Sequence, residues 1–196
     1  MDYARFRSRL GAHILDILLM IPLIGLMIAI GAGNQSTALS LIPFQGLLLC
    51  AYIFYFHAKS GQTLGKRWLR IKVVTLEGGP IGYAGSFRRN LIMLCESLPW
   101  IAATMIAALH VTEEQFSSLH GRAYTQLLKS LQPAWYPVVA KVFAVVLLAE
   151  IASIFLSKRN QSLHDFIAGT VVVKLPPRTQ PHPPAPTPAP TEPVNT

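Results

Sequence analysis

Charge is scarce in this chain, and negative charge is scarcest. Of its 196 residues 13% are charged, with 9 acidic side chains against 17 basic ones and a formal net charge of +8. Average domains run nearer a quarter charged. With 52% hydrophobic residues, this shortage points away from a soluble domain and toward an integral membrane protein. Cysteine is almost missing. Cys50 and Cys95 both lie in apolar runs, which argues against a disulfide framework. The six histidines are scattered and form no ligand pair with a second acid or thiol, so no metal site is expected. Basic residues flank apolar segments rather than alternating with aromatics, so no nucleic-acid partner is expected. There is no nucleophile elbow and no zinc-protease helix. Ser162-Leu163-His164-Asp165 sets three triad residue types side by side, whereas triads are assembled across a fold. Neither enzymatic activity nor a cofactor is expected.

What the chain does have is long apolar runs. Residues 10–31, 41–57, 91–110 and 135–156 each read as a membrane span. The lead with Arg5, Arg7 and Arg9 before the first run resembles a signal peptide, but the run is long enough to span and carries Asp16. Residues 31–40 read as an uncharged turn. Residues 58–90 read as a basic loop, with Lys59, Lys66, Arg67, Arg70, Lys72, Arg88 and Arg89 against Glu77. The alternating, β-branched stretch 70–76 is expected to pair with the strand-like 169–175, since lone strands leave open edges. Thr112-Glu113-Glu114-Gln115 reads as a capping box. Phe116, Leu119, Ala123, Leu127 and Leu131 follow on one face, as in a surface helix. Pro99 predicts a kink in the third span. From Pro176 onward the chain is mostly Pro, Ala and Thr, a composition that predicts a disordered tail. The expected fold class is therefore an all-α integral membrane domain over 1–175, with four transmembrane helices and a small β element, followed by a tail over 176–196. Four spans and the bias of Lys and Arg set both termini in the cytoplasm of a cell (inner) membrane protein.

Acidic residues inside spans are the candidate functional groups. A carboxylate near mid-membrane costs about 2.5–3.5 kcal/mol unless paired or neutral. Asp16 follows Arg9 by seven residues, about two helical turns, so both share one face. Two readings stay open. In the first, Arg9 ties Asp165 or Asp16 at the membrane boundary through its planar fork. In the second, Asp16 takes up and releases a proton or small cation, with Glu96 and Glu150 completing an ion pathway, and Pro99 frees backbone carbonyls near Glu96. Four spans are few for a transporter, so a homo-oligomer is expected with the second reading. Gly61 and Gly65 lack Walker spacing and read as turn formers, with Lys66 and Arg67 meeting anionic lipid headgroups. The other functional class is a non-transporting scaffold or assembly partner, its basic loop and tail contacting an unknown protein.

Three patches together resemble one family. They are Arg9-x-x-Ala12-x-x-x-Asp16, then Gly61-Gln62-Thr63-Leu64-Gly65-Lys66-Arg67 running into Arg70-Ile71-Lys72-Val73-Val74, then Ser162-Leu163-His164-Asp165 with Ala168-Gly169-Thr170-Val171-Val172-Val173. In that order they resemble the RDD family of bacterial membrane proteins, named for one arginine and two aspartates. The resemblance implies that Arg9, Asp16 and Asp165 are the family's charged motif, and that Arg88 or Arg89 is the arginine preceding the third span. It implies movement of an unidentified ligand, with sodium/proton exchange in some members.

Overall fold

The computed structural model describes residues 1–176. The Pro/Ala/Thr-rich tail lies otherwise outside the described residues. Four helices are long and apolar enough to cross a membrane: α1 (Phe6–Gly31), α2 (Gln35–Ser60), α4 (Gly82–Leu109) and α7 (Tyr136–Leu156). Between them lie α3 (Leu64–Trp68), β1 (Ile71–Thr75), α5 (Glu113–Ser118) and α6 (Gly121–Ser130); α8 (Leu163–Ala168) and β2 (Thr170–Lys174) follow α7.

The long helices keep large apolar side chains on their outer faces, among them Leu18, Leu26, Val145 and Leu148. In lipid such residues gain nothing by turning inward, so helices meet where small residues let backbones approach. On α4 these are Ala103, Ala107 and Ala108, all buried. On α2 Gly46 lies against Trp100 and Ile101 of α4, where a Cβ would collide. Helix α7 is the loosest member, with Ile154 its one buried residue.

Three of the four spans are longer than hydropathy indicated, and α7 matches its expected run to within one residue. Most of the expected turn at 31–40 is helix, because the Asn34 side chain caps α2 by accepting from the Thr37 N–H at 3.1 Å. The expected basic loop at 58–90 holds the end of α2, all of α3 and β1, and the start of α4. Arg88 and Arg89 are therefore helical. Polarity alone placed that boundary, yet no proline lies between Gly82 and Pro99 to stop a helix. Pro99 lies inside α4 without ending it. The expected surface helix after residue 112 is two helices, α5 with its Thr112–Gln115 capping box and α6, separated by extended Leu119 and His120, with Gly121 at φ +56° opening α6.

The two strands pair antiparallel in the expected place, with Val73 opposite Val172 and Thr75 opposite Thr170. The N-terminal residues add an edge that sequence did not suggest. Ala4 N–H donates to Val172 O at 2.8 Å, and Lys174 N–H donates to Asp2 O at 2.8 Å. Ala4, Ala12, Ile71, Val73, Ile81 and Val172 form one buried cluster. It locks the start of α1 onto the sheet, at what is called here the sheet end of the bundle. Gly61 joins α2 to this end. It takes φ +70°, and a Cβ there would run into the Val73 carbonyl oxygen, so only glycine fits.

Candidate functional site

Two buried aspartates organise the sheet end. Asp165 is the third residue of α8 and bends back to its start, accepting from the Ser162 N–H and Oγ, each at 3.1 Å. The same carboxylate accepts from Arg9 Nη1 at 2.5 Å on one oxygen and from Arg89 Nη1 on the other. Thr170 Oγ1 accepts from Arg89 Nη1 at 2.8 Å and donates to Asp165 at 3.2 Å. Asp165 is fully buried, where a carboxylate persists only with cations and donors around it. Two guanidiniums on one carboxylate also hold α1, α4 and α8 together.

This node continues toward α7. Arg89 Nη2 donates to His164 Nε2 at 2.9 Å. A guanidinium has no acceptor, so Nε2 is unprotonated and the hydrogen sits on Nδ1. From there it donates to Glu150 Oε1 at 2.7 Å, and the His164 backbone N–H donates to the same oxygen at 3.2 Å. Burial, and then the charge of Arg89, press the His164 imidazole down to a pKa of about 4. It is therefore neutral near pH 7. An unbroken hydrogen-bonded chain runs from Glu150 through His164, Arg89 and Asp165 to Arg9.

Asp16 is held differently. Its carboxylate accepts from Thr63 Oγ1 at 2.6 Å, from the Gly65 N–H at 2.7 Å and from the Tyr52 hydroxyl at 2.8 Å. Thr63 is the N-cap of α3, so the carboxylate meets the partial positive end of that short helix. The Tyr52 hydroxyl in turn accepts from the Leu64 N–H at 2.9 Å. Gly65 is required at this contact, since a Cβ would drive into the Ala12 carbonyl oxygen and crowd Asp16. Among the described residues no salt bridge joins Asp16 to Arg9 or to Lys66.

Between the helices lies a cavity of about 290 Å³. Arg9, His13, His57, Lys66, Arg89, Asn90, Glu96, Glu150 and His164 line it, together with apolar side chains such as Leu147, Ile151 and Ile154. Of the acids in the expected ion pathway, Glu96 and Glu150 are on this lining and Asp16 is not. Lys66, expected to meet lipid headgroups, turns inward, with Nζ 2.8 Å from His57 Nε2. Burial, followed by the charge of Arg89, lowers its pKa to about 7. The reason is helical phase: capped at Thr63, α3 turns Gly65 onto Asp16 and leaves Arg67 exposed. The ambiguity between Arg88 and Arg89 resolves the same way, with Arg88 outward and Arg89 buried.

Sequence reasoning did not single out Tyr52, Thr63 or Asn90 as site residues. The N-cap pattern Thr63-Leu64-Gly65-Lys66 was a usable signal for the first contact with Asp16. The box Ser162-x-x-Asp165 likewise signalled why that aspartate turns back on its own helix.

Comparison with known proteins agrees with the motif reading. The RDD family model matches residues 3–169. No curated protein and no solved structure matches the chain.

Proposed function

The chain belongs to the RDD family, and from that premise we propose that this membrane protein moves a proton, or a small cation in exchange for one, through the cavity bordered by Glu150 and Glu96. One observation carries the reading. Glu150 on α7 and Glu96 on α4 border the same cavity, whereas Asp16 and Asp165 are saturated with donors. Intramembrane carboxylates bordering an interior cavity are the groups that carry ions in transporters. Glu150 holds its place through neutral His164, a bond that a proton or cation arriving at the carboxylate displaces without touching the Arg9–Asp165 tie. The test uses the full chain in sealed vesicles with an internal pH dye and an imposed sodium gradient. Glu150→Gln is expected to reduce ion-driven pH change about tenfold or more, with Glu96→Gln less severe. Unchanged flux in a folded Glu150→Gln protein rejects the reading.

A second reading, a scaffold in a bacterial inner membrane with the sheet end in the cytoplasm, draws on a different observation. Trp68 is 73% exposed, and exposed Arg67, Arg70 and Arg88 accompany it. An aromatic among arginines suits anionic lipid headgroups or an acidic partner protein. Mild extraction that yields a co-purifying partner, lost when these arginines become glutamate, favours this reading; recovery of a bare homomer counts against it.

A further inference from the structure

We propose that the same cavity binds a phosphate-type oxyanion, with Arg9, His57 and Asn90 as its donors and Lys66 as an added cation. The inference does not rest on the transport reading, because it uses donors rather than the carboxylates.

Three nitrogens carry it. Arg9 Nη2, His57 Nδ1 and Asn90 Nδ2 are buried, and none has a hydrogen-bond partner among the described residues. His57 is 2% exposed, Asn90 5% and the Arg9 side chain 9%. Each unanswered donor is costly in such a place, and native interiors leave few of them. These three belong to different helices, α1, α2 and α4, and all three residues line one cavity. With Lys66 as the ammonium, its Nζ donates to His57 Nε2 at 2.8 Å, which leaves the ring hydrogen on Nδ1 as a donor.

Cations accompany two of the donors: Arg9 is one itself, and Lys66 contacts His57. Arg9 and Arg89 share the single charge of Asp165, so that node keeps a positive remainder, and Lys66 lies on the same lining. Glu96 and Glu150 also border the cavity and offset that charge, since a bond from neutral His164 does not cancel the charge of Glu150. Donors on three helices around one cavity are best met by a guest that carries several acceptor oxygens. A tetrahedral oxyanion supplies them, and charge-assisted bonds to guanidinium and ammonium are the strong kind. Chloride offers one atom and reaches fewer of the donors. A free phosphate ion and the phosphate of a lipid headgroup present this same chemistry.

The experiment is a calorimetric titration of the purified full chain with inorganic phosphate, against chloride at equal ionic strength. Phospholipid retained per chain is measured in the same preparation. The wild-type chain is expected to bind phosphate in preference to chloride, and Asn90→Leu to bind it about tenfold more weakly. His57→Phe is the second variant, with the same expectation, should Asn90→Leu not fold. If a headgroup is the source, the wild-type chain retains a phospholipid that blocks phosphate until stripped, and the variants retain less. If the source is free phosphate, the titration changes and the retained lipid does not. A wild-type chain that neither prefers phosphate nor retains a phospholipid, or variants that match it in both measurements, means that water alone answers these donors, and the proposal falls.

Discussion

Asp16 and Asp165 are the same residue in the same half of one bundle, 1% and 0% exposed, and the chain keeps each by a different device. Around Asp165 the charge is answered by charge, with two guanidiniums from helices far apart in sequence. Around Asp16 no cation bonds the carboxylate directly; a tyrosine, a threonine and one backbone N–H hold it. Neutral donors tolerate an uncharged replacement that can still accept. Guanidiniums do not, because they are donors only and stay charged. Buried negative charge is therefore structural at both sites, but only at Asp165 does the surrounding structure depend on the charge itself. An ion-carrying group must be able to lose its charge, which directs attention from both aspartates to Glu150.

The largest expected effect tests this asymmetry head on. In Asp165→Asn one oxygen becomes an NH₂ group. Whichever way the amide turns, that group faces Arg9 or Arg89, donor against donor. Breaking one partner of a buried ion pair costs about 3–5 kcal/mol, so the variant is expected to yield little folded protein in detergent by size-exclusion chromatography. In Asp16→Asn the amide oxygen can keep Tyr52 and Gly65, while its NH₂ meets Thr63 Oγ1, a hydroxyl able to accept. That variant is expected to fold with a loss of about 1–2 kcal/mol. Equal losses in the two variants break the comparison.

Acid sharpens it further, because only the Asp165 node is wired directly to an imidazole. His164 is held at a pKa of about 4, below the ordinary value near 6.5. Its folded-state affinity for protons is thus lower than in the unfolded chain. Above pH 6.5 both states are neutral and this contribution is fully present. As pH falls from 6.5 toward 4 the unfolded state takes up the proton first, and stability declines. The His164 side chain is 28% exposed, which tempers the loss to about 2 kcal/mol across that window. Thermal unfolding in detergent is expected to move to lower temperature over this range, and His164→Gln to flatten the slope. A wild-type profile that does not change from pH 6.5 to 4.5 contradicts it.

How much of this was legible in the sequence follows from what each feature depends on. The four spans come from composition, which is local. The β pairing came from two alternating segments that had no other partner. Arg9 and Asp165 stand 156 positions apart, and the candidate tie between them rested on a motif match. What stayed hidden depended on helical phase across a boundary that polarity misplaced. With 58–90 read as loop, Lys66 had no reason to point inward, and Arg88 could not be told from Arg89. Once α3 begins at Leu64, capped by Thr63, and α4 at Gly82, both orientations follow. The orphan donors could not be foreseen at all, because an unmade bond depends on what every neighbour fails to supply.

The smallest effect isolates one donor on the neutral side. The Tyr52 hydroxyl donates to Asp16 and accepts from the Leu64 N–H, so it joins α1, α2 and the start of α3 through a single oxygen. Tyr52→Phe removes that oxygen and keeps the ring against Phe56, whose centroid lies 4.9 Å away. Two hydrogen bonds are lost, but Asp16 retains Thr63 and Gly65, and the first turn of α3 keeps its Thr63 cap. The expected loss is about 0.5–1.5 kcal/mol, read as a modest drop in thermal midpoint. Because the remaining donors carry no charge, the drop should change little with added salt. A strong salt dependence would mean that a cation, not a set of neutral donors, holds this carboxylate, and the contrast with Asp165 would disappear.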